Sequence, residues 1–201
     1  MRDDLTEVAV VLDRSGSMSA MAEEAIGGFN AFLESQRQGP GEVRLWLVLF
    51  DHELIPVWTS APLAAVRPLD ARSYVPRGTT ALHDAVATTI DTVGQRLAAL
   101  PEAERPGRVI VAILTDGQEN ASSRFSAGDV AMRIRHQREK YGWEFLFLGA
   151  NQDVVSEAAK MAIPAADAIA FEASGRGVAE AHVRLDTEVR LRKQRLRSPV
   201  N

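Results

Sequence analysis

Val8-Ala9-Val10-Val11-Leu12-Asp13-Arg14-Ser15-Gly16-Ser17 joins an unbroken apolar run to a short segment rich in hydroxyls. Val109-Ile110-Val111-Ala112-Ile113-Leu114-Thr115-Asp116-Gly117 repeats that arrangement farther along the chain. Aliphatic runs without polar alternation are what a parallel strand covered on both faces requires. Both runs end in an aspartate. In open α/β sheets the ligand crevice lies beyond the carboxyl ends of the strands, where the strand order reverses. The two stretches therefore predict an architecture and the place of its chemistry together.

Outward from these runs, short apolar stretches alternate with segments of helical period. From about Ser19 to Gln38, Met21, Ala25, Phe29 and Phe32 recur on one face, Glu23 and Glu24 suit the positive end, and Gly39-Pro40-Gly41 stops the helix. Gly27-Gly28 predicts a close approach of this helix to the sheet. Val43 to Phe50 and Leu54 to Thr59 are separated only by Asp51-His52-Glu53, a gap that permits a hairpin but no parallel crossover. Residues 60–79 read as irregular, with Pro62, Pro68, Pro76 and Gly78 as punctuation. Leu82, Val86, Ile90, Val93, Leu97 and Leu100 line a second helix. After Val109 to Leu114, a third helix starts near Ser126, with Asp129 completing a capping-box pair.

Phe145 to Leu148 reads as a buried strand, Asp153 to Met161 as a helix closed by Pro164, and Ala168 to Phe171 as a weak strand. A last helix runs from about Gly177 to Arg197. The expected fold is a doubly wound, Rossmann-like α/β sandwich of three layers, its sheet mostly parallel with one antiparallel edge strand. Residues 1–175 form the domain, and 176–201 a basic C-terminal helix docked on it.

Composition narrows the classes. The chain has 201 residues, 46% hydrophobic and 25% charged, with no cysteine and a net charge of −4. That excludes disulfide frameworks, thiolate metal sites and cysteine nucleophiles. No apolar run is long enough to span a bilayer. Met1-Arg2-Asp3-Asp4 does not open like a secretory leader, so a cytoplasmic protein is expected. Residues 176–201 carry seven basic residues against three acidic ones, a net of +4 that leaves −8 for the rest. Nucleic acid is not expected as a partner, because this basic run lacks interleaved aromatics. The tail reads as a docked helix with a solvated basic side, or as a second docking surface.

The chemistry is expected of Asp13, Ser15 and Ser17 after the first strand, of Asp116 after the fourth, and of Pro76-Arg77-Gly78-Thr79-Thr80 between them. Two carboxylates facing one crevice repel unless something positive lies between them. Oxygen donors without imidazole or thiolate favour Mg²⁺, Mn²⁺ or Ca²⁺. Few carboxylates and several neutral hydroxyls would leave such an ion with residual charge. Glu119 and Asn120 lie close enough in sequence to assist. His52, His83, His136 and His182 share no metal-ligand spacing and read as solvated or locally bonded, while Trp46, Trp58 and Trp143 read as packing residues.

These residues resemble the von Willebrand factor type A domain, the fold shared with integrin I domains, over nearly all of residues 5–172. Its metal-ion-dependent adhesion site (MIDAS) is written Asp-x-Ser-x-Ser, then a Thr in a later loop, then an Asp after the fourth strand. Asp13, Ser15 and Ser17 match the first part and Asp116 the last. Thr80, directly before Ala81-Leu82, matches the middle Thr, with Thr79 as the alternative. Phe50-Asp51, Arg77 to Thr80 and Lys140 to Phe145 resemble segments of the stand-alone bacterial branch. The resemblance implies that Ser15, Ser17 and Thr80 contact the ion directly and that Asp13 and Asp116 act through water or switch modes.

The expectation is a divalent-metal-dependent protein-binding module and not an enzyme. A partner's Asp or Glu would complete the coordination of Mg²⁺, and Gly16, Met18, Gly78 and Gln118 would shape specificity. In the integrin relatives such binding is coupled to a shift of the last helix. Two other classes compete. A Mg²⁺-dependent hydrolase or phosphotransferase would use Asp13 as nucleophile, although Ser15 stands where haloacid-dehalogenase-like phosphatases carry a second Asp. A metal-free scaffold would work through its C-terminal helix.

Overall fold

The computed structural model describes residues 1–150 and 153–195. Strand β1 (Arg2–Asp13) is followed by a 3-10 turn over Gly16–Met21, helix α1 (Ala22–Gln38), and strands β2 (Glu42–Phe50) and β3 (Leu54–Pro62). A long irregular loop leads to α2 (Leu82–Ala99) and β4 (Pro106–Thr115). Then come α3 (Ala127–Tyr141), β5 (Glu144–Gly149), α4 (Val154–Lys160), β6 (Ala168–Ala170) and α5 (Gly175–Gln194). The strand order is β3-β2-β1-β4-β5-β6. All neighbours are parallel except the β2–β3 hairpin. This is the expected doubly wound α/β sandwich with one antiparallel edge.

The alternation of side chains along each strand divides the core in two. Val8, Val10 and Leu12 face α1 and α5, together with Leu45, Leu47, Leu49, Ile110, Ala112 and Leu114. Ala9, Val11, Trp46, Val111 and Ile113 face α2, α3 and α4. Each fully buried aliphatic side chain contributes roughly 1.5–3 kcal/mol, which explains why the sheet centre carries runs with no polar interruption. The registers Asp13↔Phe50 and Leu12↔Leu114 bring the ends of β1, β2 and β4 to one level. There the strand order reverses.

Several local expectations need correction. β1 starts at Arg2, well before Val8, and takes Glu7 into the core. The Trp46 ring N–H donates to Glu7 Oε1 at 2.5 Å, and burial pushes this carboxyl upward. The first helix does not begin at Ser19, because a 3-10 turn carries Met18 and Met21 into the core before α1 starts. Gly28 gives close approach to α5 and not to the sheet: a Cβ there would lie 2.6 Å from His182 Nδ1. Gly27 has nothing within 4 Å. The capping box at α3 is present, with Ser126 Oγ accepting from Asp129 N and Asp129 Oδ2 accepting from Ser126 N.

Helix α5 buries Val178, Ala181, Leu185 and Val189 against the face that carries α1. Its basic side is solvated only in part. Arg192 is 3% exposed and pairs with Asp167, Glu188 and Glu144, while Arg190 donates to Ser35 O at 2.9 Å. Leu196 and Arg197, assigned to this helix from the sequence, lie outside the described residues. Among the described residues, no helix is long and apolar enough to cross a membrane.

His182 is expected to make stability depend on pH. Its Nδ1–H donates to Val178 O at 2.9 Å, its Nε2 is buried with no hydrogen-bond partner among the described residues, and burial pushes its pKa down to about 4. Between the unfolded value near 6.5 and about 4, only the unfolded chain takes the proton. Stability therefore falls with falling pH, by roughly 1.4 kcal/mol per unit. Chemical denaturation from pH 7 to 5 should give a flatter profile for His182→Leu than for the wild type; equal slopes would refute the assignment.

Candidate functional site

The level at which β1 and β4 end carries the chemistry. Asp13 closes β1 and is fully buried. Its Oδ1 accepts from Ser15 N at 2.6 Å and its Oδ2 from Thr115 Oγ1 at 2.5 Å. The following 3-10 turn sets the two serines side by side, with Ser15 Oγ 3.1 Å from Ser17 Oγ. Ser17 Oγ donates to Asp116 Oδ1 at 2.8 Å. Thr80 comes from the loop before α2 and is buried, whereas Thr79 is exposed. The Thr80 hydroxyl and Asp13 Oδ2 stand 2.9 and 3.6 Å from the point where a Cβ on Gly117 would lie. Asp13, Ser15, Ser17, Thr80 and Asp116 thus line one crevice, drawn from three loops.

The electrostatics of this crevice favour a cation. Burial, with a smaller contribution from the nearby Asp116 charge, pushes Asp13 up to about 6 against the hydrogen bonds from Thr115 and Ser15. Burial also raises Asp116, opposed by the Ser17 hydroxyl. Both carboxyls are held where positive charge would relieve the cost of ionisation. The donors are hydroxyl and carboxylate oxygens, a set suited to a hard divalent ion. By their chemistry, the residues fit such an ion.

A second ionic arrangement holds the loops together. Asp51, at the tip of the β2–β3 hairpin, is fully buried. Its Oδ2 lies 2.9 Å from Arg14 Nη2 and 3.1 Å from Arg77 Nε. The Arg14 contact is an ion pair lying off the N–H axis and not an aligned hydrogen bond. Backbone bonds repeat the same links: Arg77 N to Arg14 O at 2.9 Å, Gly16 N to Gly78 O at 3.1 Å and Ala81 N to Asp51 O at 2.8 Å. Gly78 has φ +66°, and a Cβ there would strike His52. One carboxylate therefore ties the Ser15 loop to the Thr80 loop.

Asp51, His52 and Glu53 also offer ligand atoms within 4.8 Å of one another. Asp51 already faces two guanidinium groups, and Arg77 pairs with Glu53 as well, so the negative charge of this cluster is spent on arginine.

The other side of the crevice is held by residues near Glu119 and Asn120. Asn120 Oδ1 accepts from Thr80 N at 2.9 Å, and Asn120 N donates to Thr80 O at 3.1 Å. Asn120 thus holds Thr80 in place. Glu119 instead accepts from Ser122 Oγ and from Ser122 N, His83 N and Ala121 N, which orders its own loop against the start of α2 and lowers its pKa against the effect of burial. Asp84 accepts from Ser123 N, Arg124 N and Phe125 N.

Tyr74 escaped the sequence pattern. Its side chain is buried, and its hydroxyl donates to Asp13 O at 2.6 Å. A lone aromatic inside a proline-punctuated loop was the available signal. Met18, expected at the binding rim, is a core residue, whereas Gly16, Gly78 and Gln118 are exposed there.

No family model matches the chain, and no curated protein matches it. Solved structures do. Proximal thread matrix protein 1 from the mussel byssus, with a zinc-occupied MIDAS motif, superposes with TM-score 0.62 at 18% identity over 92% of this chain and 45% of that one. Manganese-loaded Plasmodium vivax TRAP protein gives 0.59 at 15% identity over 90% and 73%. The vWF domain of the type V pili tip protein Mfa5 from Porphyromonas gingivalis gives 0.59 at 13% over 96% and 98%. The chain spans a little under half the length of the mussel structures. At these identities the likeness is one of fold: the chain has the von Willebrand factor type A fold.

Removing Asp51 should loosen the whole crevice. Asp51→Ala leaves the buried Arg14 guanidinium without its counter-charge, a change expected to cost about 3 kcal/mol or more. At this chain length that is a fall in Tm of roughly 6–12 °C. Calorimetry checks it. A Tm within a degree or two of wild type would show that the fork carries no stability.

Proposed function

We propose that this chain, with its von Willebrand factor type A fold, is a divalent-cation-dependent protein-binding module and not an enzyme. The single observation that carries this reading is the convergence of Asp13, Ser15, Ser17, Thr80 and Asp116 on one crevice at the carboxyl ends of β1 and β4. Ser15, Ser17 and Thr80 would offer hydroxyl oxygens to the cation, with Asp13 and Asp116 supplying negative charge. A bound Mg²⁺, or Mn²⁺ or Ca²⁺ in its place, would supply concentrated positive charge at a surface rimmed by Gly16, Gly78 and Gln118. The chemistry that such a surface recognises is an Asp or Glu side chain of a protein partner. Zinc in the mussel protein and manganese in the Plasmodium protein lend support on the same fold.

The chain's own residues do two things in this reading. The Asp51 fork and the Asn120 bonds preorganise the loops, so little ordering cost remains when a cation and a partner bind. Burial of Asp13 and Thr80 leaves Ser17, Asp116 and the exposed glycines to face the partner. A nucleophilic role for Asp13 fits less well. Both of its oxygens already accept hydrogen bonds, and the side chain has no exposed surface to present to a substrate.

Two experiments test the reading. Isothermal titration of the full chain with Mg²⁺ or Mn²⁺ should show saturable binding that Asp116→Ala and Thr80→Ala lose by at least about tenfold, a difference of roughly 1.4 kcal/mol. Thr79→Ala should bind as wild type does. Partner capture should be abolished by a chelator and restored by excess Mg²⁺. Absence of binding to either ion at millimolar concentration and neutral pH, together with chelator-insensitive capture, would sink the proposal.

A further inference from the structure

A cavity lies at the opposite end of the sheet from the crevice, where α2 and α3 end and β4 begins. It offers about 300 Å³, open to solvent on one side, and is walled mostly by apolar groups, among them Leu97, Ala98, Pro106, Val109, Tyr141 and Trp143. That is the lower end of the size range of small-molecule sites, which are typically apolar with a few placed polar groups. The space originates partly in Gly94. A Cβ on that residue would stand 3.3 Å from Gln137 Nε2 and 3.9 Å from Trp143 Cη2, the neighbours that bound the cavity.

The charges at its rim have one dominant sign. Arg105 and Lys140 carry positive charge at the rim against a single lining acid, Glu102, while Arg108 is paired with Glu144 at 3.5 Å and His136 adds an imidazole. Two helices end here, and their last carbonyls would repel an anion if left bare. They are covered. Arg105 donates to Leu100 O and Ala98 O, each at 3.0 Å, and the amides of Gly142 and Trp143 cap Arg138 O and Gln137 O at 3.1 Å. Lys140 has no carboxylate partner among the described residues and lies 5.3 Å from the centroid of the Tyr141 ring.

We propose that this cavity binds a small organic anion with a flat apolar body, of the aromatic carboxylate class. The body packs against Leu97, Val109 and Trp143, and the carboxylate faces Lys140 with Arg105 and His136 beside it. The site shares no residue with the cation crevice and does not depend on the cation reading.

The probe is 1-naphthoate, titrated into the full chain while the indole N–H resonance of Trp143 is followed by NMR. A saturable shift with a sub-millimolar Kd is expected, unchanged by chelator or by Asp116→Ala. Lys140→Gln should weaken it about threefold to tenfold, as loss of a charge-assisted contact does. Gly94→Leu fills the cavity and should abolish binding; Ala98→Phe, at an exposed rim position, serves as the second blocking variant if the first does not fold. The proposal is overturned by no saturable shift up to about 5 mM, a concentration beyond any specific affinity claimed here. It is equally overturned if neutral 1-naphthalenemethanol binds within about twofold of the acid, a margin too small for charge recognition. Undiminished binding to a folded Gly94→Leu or Ala98→Phe chain would also overturn it.

Discussion

A carboxylate shut away from water at the end of the central strand is the constraint on which the rest of this structure depends. Asp13 has no exposed surface, and β1 delivers it to the point where the sheet reverses its strand order. Burying a charge is costly unless it is paired or hydrogen-bonded. The surrounding loops meet that requirement in different ways. Ser15 and Thr115 donate to the carboxylate itself, and Tyr74 donates to the carbonyl of the same residue. Burial that remains uncompensated raises both carboxyls, with the Asp116 charge adding to the rise at Asp13, and makes the crevice a place for positive charge.

The loops are in turn positioned by elements distant in sequence. Asp51 reaches from the β2–β3 hairpin to the arginines of two crevice loops, so the antiparallel edge of the sheet helps to define the site. Asn30 of α1 bonds both N–H and C=O of Leu69, and so anchors the irregular segment that carries Tyr74 and Thr80. On the other side, Glu119 and Asp84 order the loop after β4 against the start of α2. Rigid elements therefore hold flexible-looking loops, which suits a recognition surface that must be preorganised.

Much of this was legible from local pattern. The runs ending in Asp13 and Asp116 have no polar alternation, and that alone identifies doubly covered parallel strands; the short gap at Asp51-His52-Glu53 forces the hairpin. Ser126 and Asp129 form the capping box their spacing requires. Other features were not legible, because their cause is contact at long range. Met18 occupies a loop-like position in sequence but packs into the core. Gly28 makes room for His182, from a helix at the far end of the chain. The tail's net positive charge hides Arg192, whose guanidinium is buried among three carboxylates from separate elements.

By itself, then, the order of residues determined the layering, the strand directions and which residue types could gather at the strand ends. Periodicity and connection length are local properties, and local sterics and burial enforce them. Only the tertiary structure decided that Thr80 and not Thr79 turns inward, that Asp51 spends its charge on arginine, and that Tyr74 belongs to the crevice. Those outcomes depend on distances between side chains far apart in the chain. Electrostatic and packing energies vary steeply with such distances, and no single-residue pattern encodes them.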